Sequence, residues 1–509
     1  MYRILPLEKD TYITNKIVSA QPCTGSNVGL AGTVDLFKIY KEEAYPLTGS
    51  TTELSRALVK ASYTSLSQEL LTASGFSCFL HMKDVYGGQP TPSNFTLVAM
   101  PLSNSFLEGR GSDVVSYQEL DVANWVSGSL NSGWVEEGAS STGSLGDAVD
   151  TLTDYMTSQS FVSGGEDLWM DVTSHVSASL VGDIVNHGFR ISFSPELEED
   201  QYTYFVKRFG STQAYNKHLR PKLVVKYDDV HADDSGDPQY NVEQTFWLYM
   251  SNGLNFVSSS TVLTGSDCAT LRLTTSKSYT YLTTSWSQSH SASIEHLTKS
   301  VVFWSMSASV SQVETGVYRA DTVTVSTADQ DLSDFLVTGS FAFGDSVPFQ
   351  LDWVSNDGTV VIAREWLDFR NGQPGVATSL QENDLVVSLP NLASVYRKSS
   401  TSPVRLRVAI YNQAKEQEAY RLPGKTPLEV CRMSQWQIKE AYTRKVVIPF
   451  DEIATRLSYD GNGMFFDFYP SDLDNNTVYQ IDLLVKEHPL SQEIFIENDG
   501  FKFKVVDQS

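Results

Sequence analysis

In the segment VRLRVAIY (404–411), Val404, Leu406, Val408 and Ile410 occupy every second position, with Arg405 and Arg407 between them. A period of two gathers those four side chains on one face of a β-strand, whereas a helix would spread them around its circumference. Short segments of the same kind recur along the chain, among them TVDLFKIYK (33–41), NFTLVAMPL (94–102), HGFRISFS (187–194), ATLRLTTS (269–276) and TVYQIDLLV (477–485). Thr, Val, Ser and Tyr dominate them, residues that suit a pleated, half-buried surface. Many short strands punctuated by turns predict an all-β protein, a multidomain chain of antiparallel β-sandwiches.

The punctuation divides the chain. A first series of strands ends in LRPKLVVKYDD (219–229), where Leu223 and Val225 face one way and Lys222, Val224 and Lys226 the other. DDVHADDSGDP (228–238) is polar, acidic and closes on Gly-Asp-Pro, the composition of a linker. The expected organisation is a domain over 1–229, an acidic linker over 230–240, a β-rich middle domain over 241–371 and a last sandwich over 372–509. Within the middle domain, Asn356-Asp357-Gly358 supplies the turn of a hairpin spanning 347–369. LWMDVTSHVSASL (168–180) reads as a strand running into one or two helical turns, capped by Asp171 or Thr173.

Composition excludes several classes. A length of 509 residues fits about three domains. With 41% hydrophobic residues and 24 Tyr, 25 Phe and 9 Trp, the chain is too rich in core-forming side chains to be disordered. A net charge of −24 argues against nucleic acid and against a bare anionic membrane surface as partners. No apolar run approaches the roughly 18 residues of a membrane helix. MYRILPLEKDTYITN lacks the basic start and apolar stretch of a secretory signal. Cys23, Cys78, Cys268 and Cys431 are far apart with no CxxC spacing, which disfavours a disulfide framework or zinc site. The expectation is a chain made in a reducing cytoplasm that stays there until assembly or lysis.

Several elements between Leu7 and Asp229 now stand in order: KDTYI (9–13), LSRALVKAS (54–62), the Trp- and Gly-rich ANWVSGSLNSGWVEEGAS (123–140), MDVTSHVSASL followed by NHGFRISFS, and YFVKRFGSTQAYNKHLRPKLVVKY. Together they resemble the DNRLRE-type domain, a jelly-roll-like β-sandwich family of secreted bacterial surface proteins and phage virion proteins. Two departures stand: GASSTG lacks the family's Trp after Gly-Ala, and RALVKAS lacks the Phe-Asp that commonly ends that strand. The last section is similar to immunoglobulin-like or fibronectin type III sandwiches. SDLDNNTVYQIDLLV (471–485) sets Tyr479 after a polar turn and before an alternating strand, the arrangement of a tyrosine corner.

Chemistry leaves few traces. Gly-x-Ser-x-Gly, a Walker loop and His-Glu-x-x-His are absent, and the eight histidines are scattered, so no catalytic residue is assigned and no enzyme is expected. Glu136, Glu137, Glu166 and Asp167 read as solvated loop charges rather than a glycosidase pair, which needs one carboxyl with a raised pKa. No cofactor is expected, calcium being the one ion entertained. Asp229, Asp233 and Asp234, with Asp228 and Asp237, are its candidate ligands, weighed against a solvated acidic linker. Asp472, Asp474 and Asn476 fail as an EF-hand, because Thr477 stands where the turn glycine belongs and Leu483 where the bidentate glutamate belongs. Among the aromatics, Trp125 reads as structural, while Trp134, flanked by Gly133 and two glutamates, is the carbohydrate-stacking candidate, with Tyr86 beside it.

Two function classes follow. The first is a non-enzymatic structural component of a bacteriophage virion (neck, collar, baseplate or tail-associated), partnered by other virion proteins and by copies of itself. The second is a polysaccharide-binding adhesin or host-surface recognition module. A polysaccharide-degrading enzyme trails both.

Overall fold

The computed structural model describes residues 1–19, 21–42, 50–85, 91–130, 132–236, 238–250, 265–286, 292–314, 316–338, 346–356, 358–370, 385–400, 402–412, 430–486 and 491–507. The strands are organised around three large apolar cores.

The first is wrapped by a sandwich whose opening strand, Tyr2–Thr14, serves two sheets. Its residues 2–6 pair with the closing strand Lys222–Lys226, which continues through Ser77–Met82 to Leu168–Asp171. After a bulge between Leu7 and Lys9, its second half pairs with Ser50–Ala61, followed by Phe189–Phe193, Phe95–Pro101 and Thr157–Phe161. The bulge re-aims the strand without ending it. Leu5, Leu80, Leu223 and Val225 meet Val59, Leu97 and Ile191 between the sheets.

The predicted strand-to-helix passage is Leu168–Asp171 into a helix Thr173–Val181 that stops at Gly182, φ 88°. Val172 holds the cap position, contrary to the expected Asp171 or Thr173, and the Asp171 carboxylate instead accepts the Thr173 N–H at 2.9 Å. On this helix His175 is 1% exposed, with Nδ1 3.2 Å from the Tyr63 hydroxyl and its ring 4.5 Å from that of Phe189. Burial pushes its pKa down to about 4.

The unfolded chain therefore takes up this proton first, and the stabilisation held above pH 6.5 is lost as pH falls toward about 4. The stake is about 3 kcal/mol. Asp10, pushed up to about 6 by burial, acts in the opposite sense, stabilising acid conditions and losing that as pH rises from 3.8 to 6. Denaturant unfolding at pH 7 and pH 4.5 should show a larger acid loss for the native chain than for His175→Gln. Equal losses would remove His175 as the cause.

The middle core lies on a six-stranded antiparallel sheet in the order Glu243–Tyr249, Val317–Thr324, Ala292–Glu314, Ala269–Trp286, Ser346–Ser355, Val361–Arg370. The last two are the predicted hairpin; Asp357 of its turn lies outside the described residues, as do residues 371–375 of the expected next boundary. The pair Ala269–Trp286 and Ala292–Glu314 is far longer than its neighbours, which pair with it only over 269–274 and 311–314. Among the described residues no third strand joins the rest of this ribbon. A helix, Gln330–Thr338, covers the core with Leu332, Phe335 and Leu336.

The third core sits between a four-stranded and a five-stranded sheet. Val404–Asn412 contributes Leu406, Val408 and Ile410 to it, as the alternation requires. Trp436 stacks on Phe466 at 4.6 Å, and Val395–Arg397 joins Ile494–Val506 in parallel. Tyr479 is buried, its hydroxyl accepting the Asp474 N–H at 2.7 Å and facing the Asp474 carbonyl at 3.3 Å. That bond ties the turn to the strand that follows it, so this is an immunoglobulin-like sandwich.

Candidate functional site

The strand Lys222–Lys226 does more than close the first sandwich. Its outward Val224, with Tyr2 and Ile4 of the opening strand, is buried in the core of the third unit. Along this seam the Arg3 guanidinium grips Asp472 through two bonds, at 2.6 and 3.1 Å, and Asp472 also accepts the Ile4 N–H at 3.0 Å. Arg3 lies 3.4 Å over the Tyr469 ring. Lys226–Asp451 at 2.7 Å and His218–Glu440 at 3.1 Å flank it.

The segment after the seam departs from the expected solvated linker, because Asp233 and Asp234 face inward and the surface Asp229 is paired. Asp229 takes the Met1 ammonium. Asp233 is 7% exposed, accepts the Ser235 N–H, and is pushed up to about 6 by burial. Asp234 meets Arg432 of the third unit at 2.8 Å and accepts the Thr245 N–H of the middle unit at 2.8 Å. The three calcium candidates thus go to three different partners. Among the described residues no group of three or more His, Cys, Asp or Glu side chains is placed to hold a metal ion. Asp237 lies outside the described residues. The physical reason is complementarity: a buried ammonium, a guanidinium and free backbone N–H groups neutralise what composition alone assigns to water.

This segment also docks by backbone. Tyr459 donates its N–H to His231 O at 2.8 Å, and Asp233 donates to Tyr459 O at 3.0 Å. The His231 ring then lies 4.4 Å from Trp247, 6.0 Å from Tyr249 and 6.2 Å from Phe465. Trp247 Nε1 donates to Ala232 O at 2.7 Å, and the Tyr249 hydroxyl is 2.7 Å from His231 Nε2. The middle unit, the third unit and the connecting segment meet around one cleft of ≈ 330 Å³, lined by His231, Tyr249, Arg405 and Asp460. Burial pushes the His231 pKa down to about 4 and that of Tyr249 up to about 12, so both are neutral near pH 7. Pattern reading found none of these four residues. Trp247 and Tyr249 stand at i and i+2 on an edge strand, which places both on one face.

The sequence-derived stacking candidate needs correction. Trp134 is 7% exposed and donates Nε1–H to Asn124 O at 2.9 Å, packed with Trp125, Phe106, Ile13 and Leu58. Gly128 allows this, since a Cβ there would stand 2.9 Å from the indole. Trp125 is buried too, with the Arg56 guanidinium 5.3 Å above its ring. Tyr86 lies outside the described residues. Glu166 accepts the N–H groups of Val162 and Ser163, which hold it down at about 2, the opposite of a general acid. Asp167 is paired with Lys83.

No protein-family model matches the chain, and no curated protein sequence does. Among solved structures, it aligns over 99% of its length with Salmonella α-2-macroglobulin reacted with methylamine, at 10% identity and TM-score 0.13. It spans only 28% of that macroglobulin. It aligns over 93% with a putative membrane anchored protein from Corynebacterium diphtheriae (8% identity, 96% of that chain, TM-score 0.13). It aligns over 83% with the FN1–FN3 domains of chicken CNTN1 (11% identity, 99% of that chain, TM-score 0.13). No family is assigned from overlaps this shallow. The chain's own sheets make it an all-β protein of antiparallel sandwich domains, the last of them immunoglobulin-like.

Proposed function

We propose that this chain is a non-enzymatic structural component of a bacteriophage virion, acting by association rather than by reaction. The observation that carries the reading is the seam. Tyr2, Ile4 and Val224 sharing a core with Trp436 and Phe466 makes the first and third units one stiff body, suited to hold a fixed spacing in an assembly. The long ribbon of the middle unit adds open strand edges at which another chain can pair. A charge of −24 keeps free copies apart until a specific interface forms. The resemblance of residues 7–229 to a domain used in phage virions points the same way. In this reading the partners are copies of itself and other virion proteins.

Size-exclusion chromatography with light scattering on the full chain is expected to return a discrete closed oligomer. A strict monomer at every concentration would count against self-assembly and bring polysaccharide recognition forward. That second reading is favoured by the polar, aromatic-walled cleft at the junction.

A further inference from the structure

We propose that the cleft between the middle and third units binds a neutral hexopyranose, with the Tyr249 ring as stacking platform and Arg405 and Asp460 as its hydroxyl-binding rim. The inference shares its ligand class with the polysaccharide reading and is independent of the virion reading.

A sugar ring asks for two things of a protein. Its C–H face needs a flat apolar surface, and its adjacent hydroxyls need planar groups that bond in pairs. Tyr249 is 46% exposed on an edge strand, and its ring is held in place by the bond to His231. Behind it Trp247 lies nearly parallel, at 7° with centroids 6.2 Å apart, so the two rings form one shelf. On the same cleft, Arg405 spends Nε and Nη2 on Asp467, at 3.0 and 2.9 Å, and among the described residues its half-exposed side chain keeps Nη1 for a ligand. Asp460 is fixed by two bonds from Arg407, at 2.6 and 2.9 Å, so its oxygens are oriented before any ligand arrives.

Charge decides the class. Arg405 is offset by Asp467, Arg407 by Asp460, and Arg319, stacked 5.4 Å over Trp247, by Asp321 at 2.8 Å. His231 is held neutral by burial. The lining charges cancel and the nearby Asp233 adds only a negative one, which gives a phosphate or carboxylate nothing to gain, whereas a neutral polyol finds paired donors and acceptors. A volume of ≈ 330 Å³ lies at the small end of ligand sites, room for one sugar ring and little more. Because the walls come from the middle unit, the connecting segment and the third unit, an occupant bridges them and stabilises their docking.

The test uses the full chain with maltotriose, cellotriose, chitotriose and lactose, and sialyllactose as the acidic comparison. Saturation-transfer NMR and tryptophan fluorescence are expected to report binding of at least one neutral sugar, which also raises the thermal midpoint. Tyr249→Ala should weaken it about ten-fold, and Tyr249→Phe should retain it. Arg405→Gln, a half-exposed change that leaves the shelf intact, should weaken it comparably and covers the case in which Tyr249→Ala loosens the junction. Trp366→Ala, at the far edge of the same sheet and 65% exposed, should leave it unchanged. Absence of binding by every neutral sugar overturns the proposal. So does binding by sialyllactose alone, or binding indifferent to both Tyr249 and Arg405.

Discussion

Asp472→Ala is expected to lower the stability of the chain by about 3–5 kcal/mol, the largest loss from any single change at the seam. Both partners are dry, with side chains 5% and 4% exposed for Arg3 and Asp472. Removing the carboxylate strands a guanidinium against Tyr469 and leaves the Ile4 N–H without its acceptor. Breaking a buried pair on one side is far worse than replacing both sides, because the surviving charge keeps its desolvation penalty. The double change Arg3→Met with Asp472→Leu should therefore recover much of the loss, though not the part owed to Ile4. Urea unfolding followed by circular dichroism measures all three proteins, and a loss below about 1 kcal/mol for Asp472→Ala would refute a buried pair here. The same seam predicts that residues 1–229 alone self-associate, since cutting there bares Tyr2, Ile4 and Val224.

Arg56→Met is expected to lose a comparable amount, about 3–5 kcal/mol, and to release the loop 123–140. Arg56 makes a fork to Glu198, at 3.1 and 2.6 Å, and sends Nη1 to Gly138 O and Ser140 Oγ, both at 2.7 Å. Beside it the buried Arg190 reaches Ala139 O. Two guanidiniums on neighbouring strands thus staple a loop whose Trp125 and Trp134 form a small core of their own. Without Arg56, Glu198 is left as a carboxylate only 11% exposed. Arg56→Lys should not rescue, because an ammonium cannot reproduce a planar fork that serves a carboxylate and a carbonyl at once. Faster chymotryptic cleavage within the loop, at Trp125, Leu130 or Trp134, and a red-shifted tryptophan spectrum are the readouts; an unchanged cleavage rate would show that the loop stands without the staple.

Much of this fold was legible in local pattern. Alternation in VRLRVAIY named the inward residues of that strand, and the polar turn before Tyr479 named the corner whose hydroxyl meets Asp474. The helix Gln330–Thr338 was missed, although Leu332, Phe335 and Leu336 carry helical spacing, because one short helix inside Thr- and Ser-rich strands is outvoted by its surroundings. Trp134 was misplaced for a related reason. Flanking glycines and glutamates describe the loop's rim, while burial is set by Gly128 and Trp125 across it.

By itself, the sequence determined what period-two patterning determines: an all-β chain, most of its strands, the inward face of the strand at 404–411, and the acidity of the segment after residue 228. Tertiary structure alone decided where that acidity goes and what the second face of LVVKY meets. Val224 looks like a solvent-side residue until a sandwich that begins only at Leu385 covers it, and Asp234 looks like a linker charge until Arg432 arrives. The cleft belongs to the same class, since His231, Tyr249, Arg405 and Asp460 share no spacing that a pattern can report. Local propensity acts over a few residues, whereas burial and charge pairing depend on which distant surfaces come to lie together.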